Sequence, residues 1–139
     1  MSEQDNIATV RAAYAAWQRG DIPSVLNACT NDVEWVVPGP SDVIPYAGVW
    51  RGTEQLKRYF DVLSDTVDFE EYVLEEVIAQ GEQVVVVGRS RVVAKSTGYG
   101  FADDWAHWFE FRRGQVARMR YYTNTAALIS ALSGAGQPQ

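Results

Sequence analysis

Apolar residues along the chain change their spacing twice, and those changes divide it into elements. In residues 6–19, Ile7, Val10, Tyr14 and Trp17 recur at intervals of three and four, which predicts a helix with one buried stripe. Gly20 ends it, and Asp21 caps a short second helix that tolerates Pro23 in its first turn and turns Val25, Leu26 and Cys29 inward. Val33–Val37 reads as a short strand stopped by Pro38, and residues 39–48 read as a loop. Thr53 is placed as the cap of a third helix through Ser64, burying Leu56, Tyr59, Phe60 and Leu63.

Beyond Ser64 the period becomes that of strands. Four long ones are predicted, at 69–79, 83–95, 99–112 and 116–123. They are separated by turn chemistry at Gly81, Ser96-Thr97-Gly98 and Arg113-Gly114, so neighbours form antiparallel hairpins. A final helix spans 125–133, opened by Asn124 and ended by Gly134, and residues 135–139 read as a flexible tail. The predicted architecture is a single α+β domain over residues 1–134, a strongly curved antiparallel sheet wrapped around the N-terminal helices. The resulting cone has an unfilled end that forms an apolar pocket. A sheet of parallel strands, or a solvent-facing His107, is incompatible with that reading.

The chain's 139 residues suit one domain with a core of its own. The net charge of −6 without a basic stretch argues against nucleic acid as a partner. One cysteine, Cys29, and one histidine exclude an internal disulfide and a His/Cys metal cluster, so no metal and no cofactor are expected. The polar, acidic start and the absence of a long apolar run predict a cytoplasmic protein without a membrane partner. Five Trp, seven Tyr and five Phe are many for this length, and such rings line sites for small hydrophobic ring-shaped ligands as well as cores.

Candidate chemistry centres on the strand at 99–112. One face carries Trp105, His107, Phe109 and Phe111, which sets the only histidine among aromatics on the inner side, where it needs a partner. Asp103 lies four residues along the strand, about 13 Å away, and cannot serve. A turn centred on Thr97-Gly98 sets Gly88 opposite His107, leaving space beside the ring. A loop of Arg113-Gly114-Gln115 sets Tyr121 opposite on the other side, which predicts a Tyr121–His107 hydrogen bond. Tyr14, Trp35, Gly88, Trp105, Phe109 and Asn124 complete the candidate ligand-binding set. For Tyr14, Trp17 and Trp35 a plain core role is the competing reading, and for Asn124 a helix cap. Asp103 and Asp104 read as solvated, and the direction of Glu71, Glu75 and Glu76 stays open.

The order of short motifs resembles the SnoaL-like branch of the nuclear transport factor 2-like superfamily. The resemblance rests on Tyr14…Trp17…Gly20-Asp21, Asp32–Trp35 with Pro38-Gly39, Tyr46–Gly52, Trp105–Phe111 before Gly114, and Tyr121–Thr125, and covers about residues 6–132. It implies a curved sheet around a conical cavity, a homodimer through the outer sheet face, and relatives that include polyketide cyclases and ketosteroid isomerases. Residue matching departs from the isomerase pattern. Val37 stands where its general-base Asp belongs, Ala13 where its oxyanion Tyr belongs, and His107 where its protonated Asp belongs. A ketosteroid isomerase mechanism is therefore not expected.

Two functions follow. One is a small cofactor-free enzyme of isomerase, lyase or cyclase type, with His107 moving a proton and Tyr121 orienting it or donating to an oxyanion. In that case His107→Gln costs about 10²–10⁴ in turnover. The other is a non-catalytic module that binds a small hydrophobic molecule in the same cavity. Val85, Val87 and Trp108, alternating outward, are the expected dimer face.

Overall fold

The computed structural model describes residues 2–134 and the backbone of 137–138. The elements in order are α1 (Glu3–Gln18), α2 (Ile22–Asn27), β1 (Cys29–Val37), β2 (Gly48–Arg51), α3 (Gly52–Thr66), β3 (Val67–Gln80), β4 (Gln83–Ala94), β5 (Tyr99–Arg112), β6 (Gln115–Tyr122), α4 (Thr125–Ser133) and β7 (Gln137–Pro138). Local chemistry sets most boundaries. Ser2 and Asp5 form a reciprocal capping box on α1, Asp21 accepts from the Ser24 N–H at the start of α2, and Gly134 closes α4 in the left-handed conformation. The third helix starts two residues earlier than its sequence suggests. Arg51, not Thr53, is its N-cap residue, and no side chain caps it.

The sheet runs β2-β1-β6-β5-β4-β3, with β7 paired beside the start of β5. The hairpins β3–β4, β4–β5 and β5–β6 are antiparallel as expected. An all-antiparallel sheet is corrected at one place, because β1 lies parallel to β6. Between those two strands the chain passes through α3 and four strands, a crossover long enough to return in the same direction. The short β2, within and just after the stretch read as a loop, pairs with β1. Of the tail at 135–139, Gln137 and Pro138 pair with Gly100 and Tyr99, and the rest lies outside the described residues.

Curvature comes from irregular pairing. The β3–β4 ladder slips at Phe69/Glu71 and at Leu74/Glu76, β1–β6 slips between Cys29 and Glu34, and β5–β6 slips at Glu110/Phe111. Each slip bends a strand and adds twist. The concave face receives Val10 and Tyr14 of α1, Val25 of α2, and Leu56, Tyr59, Phe60 and Leu63 of α3, all buried. On the convex face, Glu71 and Glu75 pair with Arg89, Glu70 with Arg91 and Asp68 with Lys95. These pairs settle the direction of Glu71 and Glu75, which are about half exposed and point away from the cavity. Charges of this kind also protect the edge strand β3 from pairing with other chains.

Candidate active site

A narrow cavity remains between the helices and the sheet, with about 550 Å³ of atom-free space counted out to its open mouth. Its wall draws on every layer: Ala13, Tyr14 and Trp17 from α1, Val25 from α2, Trp35 from β1, Tyr59, Phe60 and Leu63 from α3, Phe69 and Tyr72 from β3, His107 and Phe109 from β5, and Tyr121 from β6. No Asp, Glu, Lys or Arg contributes to it. The mouth opens between the end of α1, α3 and the start of β3, where Trp17, Phe60, Leu63, Phe69 and Tyr72 continue into a more polar cleft with Gln18, Ser64 and Asp68.

His107 is the polar centre of this wall. Its Nδ1 is hydrogen-bonded to the Tyr14 hydroxyl, and the two rings stack with centroids 5.7 Å apart and planes 14° from parallel. Tyr121 lies directly across the strand pair, as its register predicts, with its ring centroid 4.6 Å from that of His107 in an edge-on arrangement. It is a packing neighbour, however, and not the hydrogen-bond partner. The helix residue Tyr14, expected to line the pocket, supplies that bond instead. His107 is partly buried and contributes to the cavity lining. Burial pulls its pKa down to about 3, so the ring is neutral at physiological pH. The same burial raises the phenols of Tyr14, Tyr72 and Tyr121 well above their usual value.

The two registers around His107 came out differently. The β5–β6 turn holds two residues, with Arg113 and Gly114 both at positive φ. The slip at Glu110/Phe111 makes up the third residue of the predicted loop, so Tyr121 still faces His107. On the β4 side Val86, not Gly88, faces His107; Gly88 faces Trp105. The turn there spans Lys95–Gly98 and is centred nearer β4 than Thr97-Gly98. Nor is there space at Gly88, where an added Cβ falls 2.4 Å from the Trp105 ring and 2.4 Å from the Val73 carbonyl oxygen.

The other candidates divide. Trp35 and Phe109 line the cavity, whereas Trp105 stands behind it, stacked on Tyr72 at 4.8 Å and tilted against His107 at 4.7 Å. Asn124 is exposed, caps α4 by accepting from the Ala127 N–H, and is not among the residues lining the cavity. Asp103 is buried rather than solvated, alternating inward with Trp105 and His107. Its carboxylate accepts from the Thr123 hydroxyl and the Asn124 N–H, and burial raises its pKa. Sequence reasoning missed Tyr72 and Phe69, because the slips in β3 break the alternation that would have shown their direction. Cys29 is a buried core thiol donating to the Val25 carbonyl, pushed up to about 12 by burial.

A testable consequence concerns acid stability. The groups facing His107 are Tyr14 from α1, Tyr121 from β6, and Trp105 and Phe109 on its own strand, none of them a carboxylate. The folded value of about 3 lies below the unfolded value of 6.5, so the unfolded chain takes up the proton first. The stability contributed is complete above about pH 6.5 and is lost as pH falls toward 3. Denaturant unfolding at pH 7 and pH 4 is expected to show the wild type losing on the order of 3 kcal/mol more than His107→Gln. Equal losses would mean that the folded protein keeps His107 close to its ordinary value.

The SnoaL-like domain family matches residues 10–119, and the chain belongs to it. Among solved structures it is similar to an NTF2-like protein of Burkholderia xenovorans, with 36% identity, 95% of this chain and 98% of that one covered, and a TM-score of 0.87. An NTF2-like protein of Burkholderia pseudomallei is 28% identical, with 96% and 99% covered and a TM-score of 0.86. TerC, crystallised with polyporic acid, is 26% identical, with 93% and 98% covered and a TM-score of 0.81. No curated protein matches the chain by sequence. Among the described residues no helix is long and apolar enough to cross a membrane.

Proposed function

We propose that the protein is a small enzyme of isomerase, lyase or cyclase type that acts, without a cofactor, on a hydrophobic ring-containing substrate held in the aromatic cavity. The observation that carries this reading is the Tyr14–His107 pair, a polar dyad set in a wall without charged side chains. A plain binding module can satisfy an inner-face imidazole with a backbone carbonyl alone, whereas a proton-handling site gains from a second titratable group that fixes the ring and its proton. TerC was co-crystallised with polyporic acid, which supports a small-molecule ligand here. The second reading, a non-catalytic carrier or sensor using the same cavity, is favoured by the predominance of apolar groups in the wall. Incubating the protein with a panel of planar ring ketones and hydroxyquinones, and following each by NMR, separates the two. Conversion that depends on His107 supports the enzyme, and saturable binding without conversion supports the module.

The outer sheet face is proposed to pair two copies of the chain. The registers align Ile78, Val85, Trp108, Arg120, Val36 and Val49 in one row across six strands, with Val87, Ala106 and Tyr122 in the next. Val49, Ile78 and Tyr122, the most exposed large apolar residues among those described, all lie in these rows. Sedimentation at micromolar concentration is expected to give a dimer, and Trp108→Glu a monomer. A wild type that sediments as one monomeric species would refute the assignment.

A further inference from the structure

With the cavity read as the ligand site, as proposed above, the make-up of its wall says what a ligand carries besides a ring. Nearly all the lining residues bear an aromatic ring or the imidazole, and the exceptions, Ala13, Val25 and Leu63, come from α1, α2 and α3. The sheet side is therefore wholly flat-ringed, and the aliphatic carbon lies on the helix side.

Depth separates these aliphatic residues. Leu63 belongs to the mouth, because it also borders the outer cleft with Trp17, Phe60, Phe69 and Tyr72. Ala13 and Val25 do not border that cleft, so they belong to the inner end, where every other lining side chain carries a ring. The helices α1 and α2 pack on one another, which sets both positions on one side of the cavity. Ala13 is the smallest residue of the wall. Its neighbour Tyr14 reaches His107, and successive helix positions are turned by about 100°, so Ala13 looks to a different part of the cavity. A single methyl there leaves a recess.

The recess is apolar. Val25 is buried and brings only methyl groups, and position 13 lies inside α1, where its backbone groups are used by the helix. A hydroxyl or a charge placed between the two finds no side-chain partner to replace its lost hydration. A buried hydrocarbon group gains about fourfold in affinity for each carbon.

We propose that the inner end of the cavity is an alkyl recess, and that the ligand is a ring carrying a short apolar branch, inserted branch first and held between Ala13 and Val25. These two residues determine which ring substituent is accepted, apart from the proton handling at His107.

Naphthalene and 2-ethylnaphthalene, followed by equilibrium dialysis against the full chain, test this. In the wild type the ethyl compound is expected to bind about tenfold more tightly, the worth of its buried carbons. Ala13→Leu fills the recess and is expected to abolish that advantage while leaving naphthalene within about twofold of its wild-type affinity. No advantage in the wild type overturns the proposal. Persistence of the advantage in Ala13→Leu places the branch at the mouth and overturns it as well. Loss of naphthalene binding by a folded Ala13→Leu protein does the same, since Ala13 then borders the ring itself. If the leucine variant does not fold, Val25→Ala decides. Its larger recess is expected to raise the preference for 2-isopropylnaphthalene over naphthalene about fourfold, and an unchanged preference overturns the proposal. Each of these failures leaves the cavity as the ligand site. Failure of both naphthalene and 2-ethylnaphthalene to bind the wild type removes the cavity as that site, and the proposal with it.

Discussion

Replacing His107 by Phe is expected to lower turnover by about 10²–10³, the usual cost of removing one donor to a developing oxyanion. Phe keeps a flat ring among Tyr14, Trp105, Phe109 and Tyr121, so the aromatic packing survives and the lost term is polar. The Gln variant separates the two roles open to the histidine. A carboxamide still donates N–H but cannot take up a proton. If His107 works by donating an N–H, Gln recovers a large part of the loss seen with Phe. If His107 is the base, Gln is as poor as Phe, with losses of about 10²–10⁴. Single-turnover measurements on the same substrate distinguish these outcomes, since they report the chemical step apart from product release. Turnover at the wild-type rate in both variants would make His107 a core residue and remove the site from the cavity's chemistry.

The contrast between the two sides of His107 shows where sequence is informative about this fold. The inward face of β5 followed from alternation alone, because Trp105, His107, Phe109 and Phe111 recur every second residue without interruption. The same alternation reaches Asp103, and treating it with Asp104 as one solvated unit discarded that signal. Register depends on turns, and turns are less legible. At Arg113-Gly114 a two-residue turn and a nearby slip add up to the spacing of the predicted three-residue loop. At Lys95–Gly98 nothing compensates, and the pairing moves by two residues. An even shift keeps each side chain on its face, so the core was read correctly while the β4 neighbour of His107 was not. The Tyr14–His107 bond was out of reach for a different reason. It joins a helix to a strand 93 positions away, and no local pattern encodes how α1 lies across the sheet.

Gly88 illustrates the same shift and leads to the second large expected effect, on stability rather than turnover. Opposite Trp105, it lets the indole lie against the backbone of β4, with the β3 carbonyl of Val73 equally close on the other side. A methyl group at Gly88 meets the ring at 2.4 Å and that carbonyl oxygen at 2.4 Å, well inside contact distance for both. The ring has little room to withdraw, since it is 3% exposed and packed between Tyr72, Tyr14 and His107. The carbonyl is main chain next to the slip at Leu74/Glu76, which adjoins the Leu74–Gly88 pairing. Gly88→Ala is therefore expected to cost about 3 kcal/mol, at the upper end of over-packing. For a domain of this size that lowers Tm by more than about 10 °C. Combining it with Trp105→Leu, which removes the ring but not the carbonyl contact, should restore part of the loss relative to the sum of the single variants, a coupling readable from a double-mutant cycle. Strict additivity would show that the indole is not what Gly88 makes room for, and a Gly88→Ala protein as stable as the wild type would mean that the strands separate there at little cost.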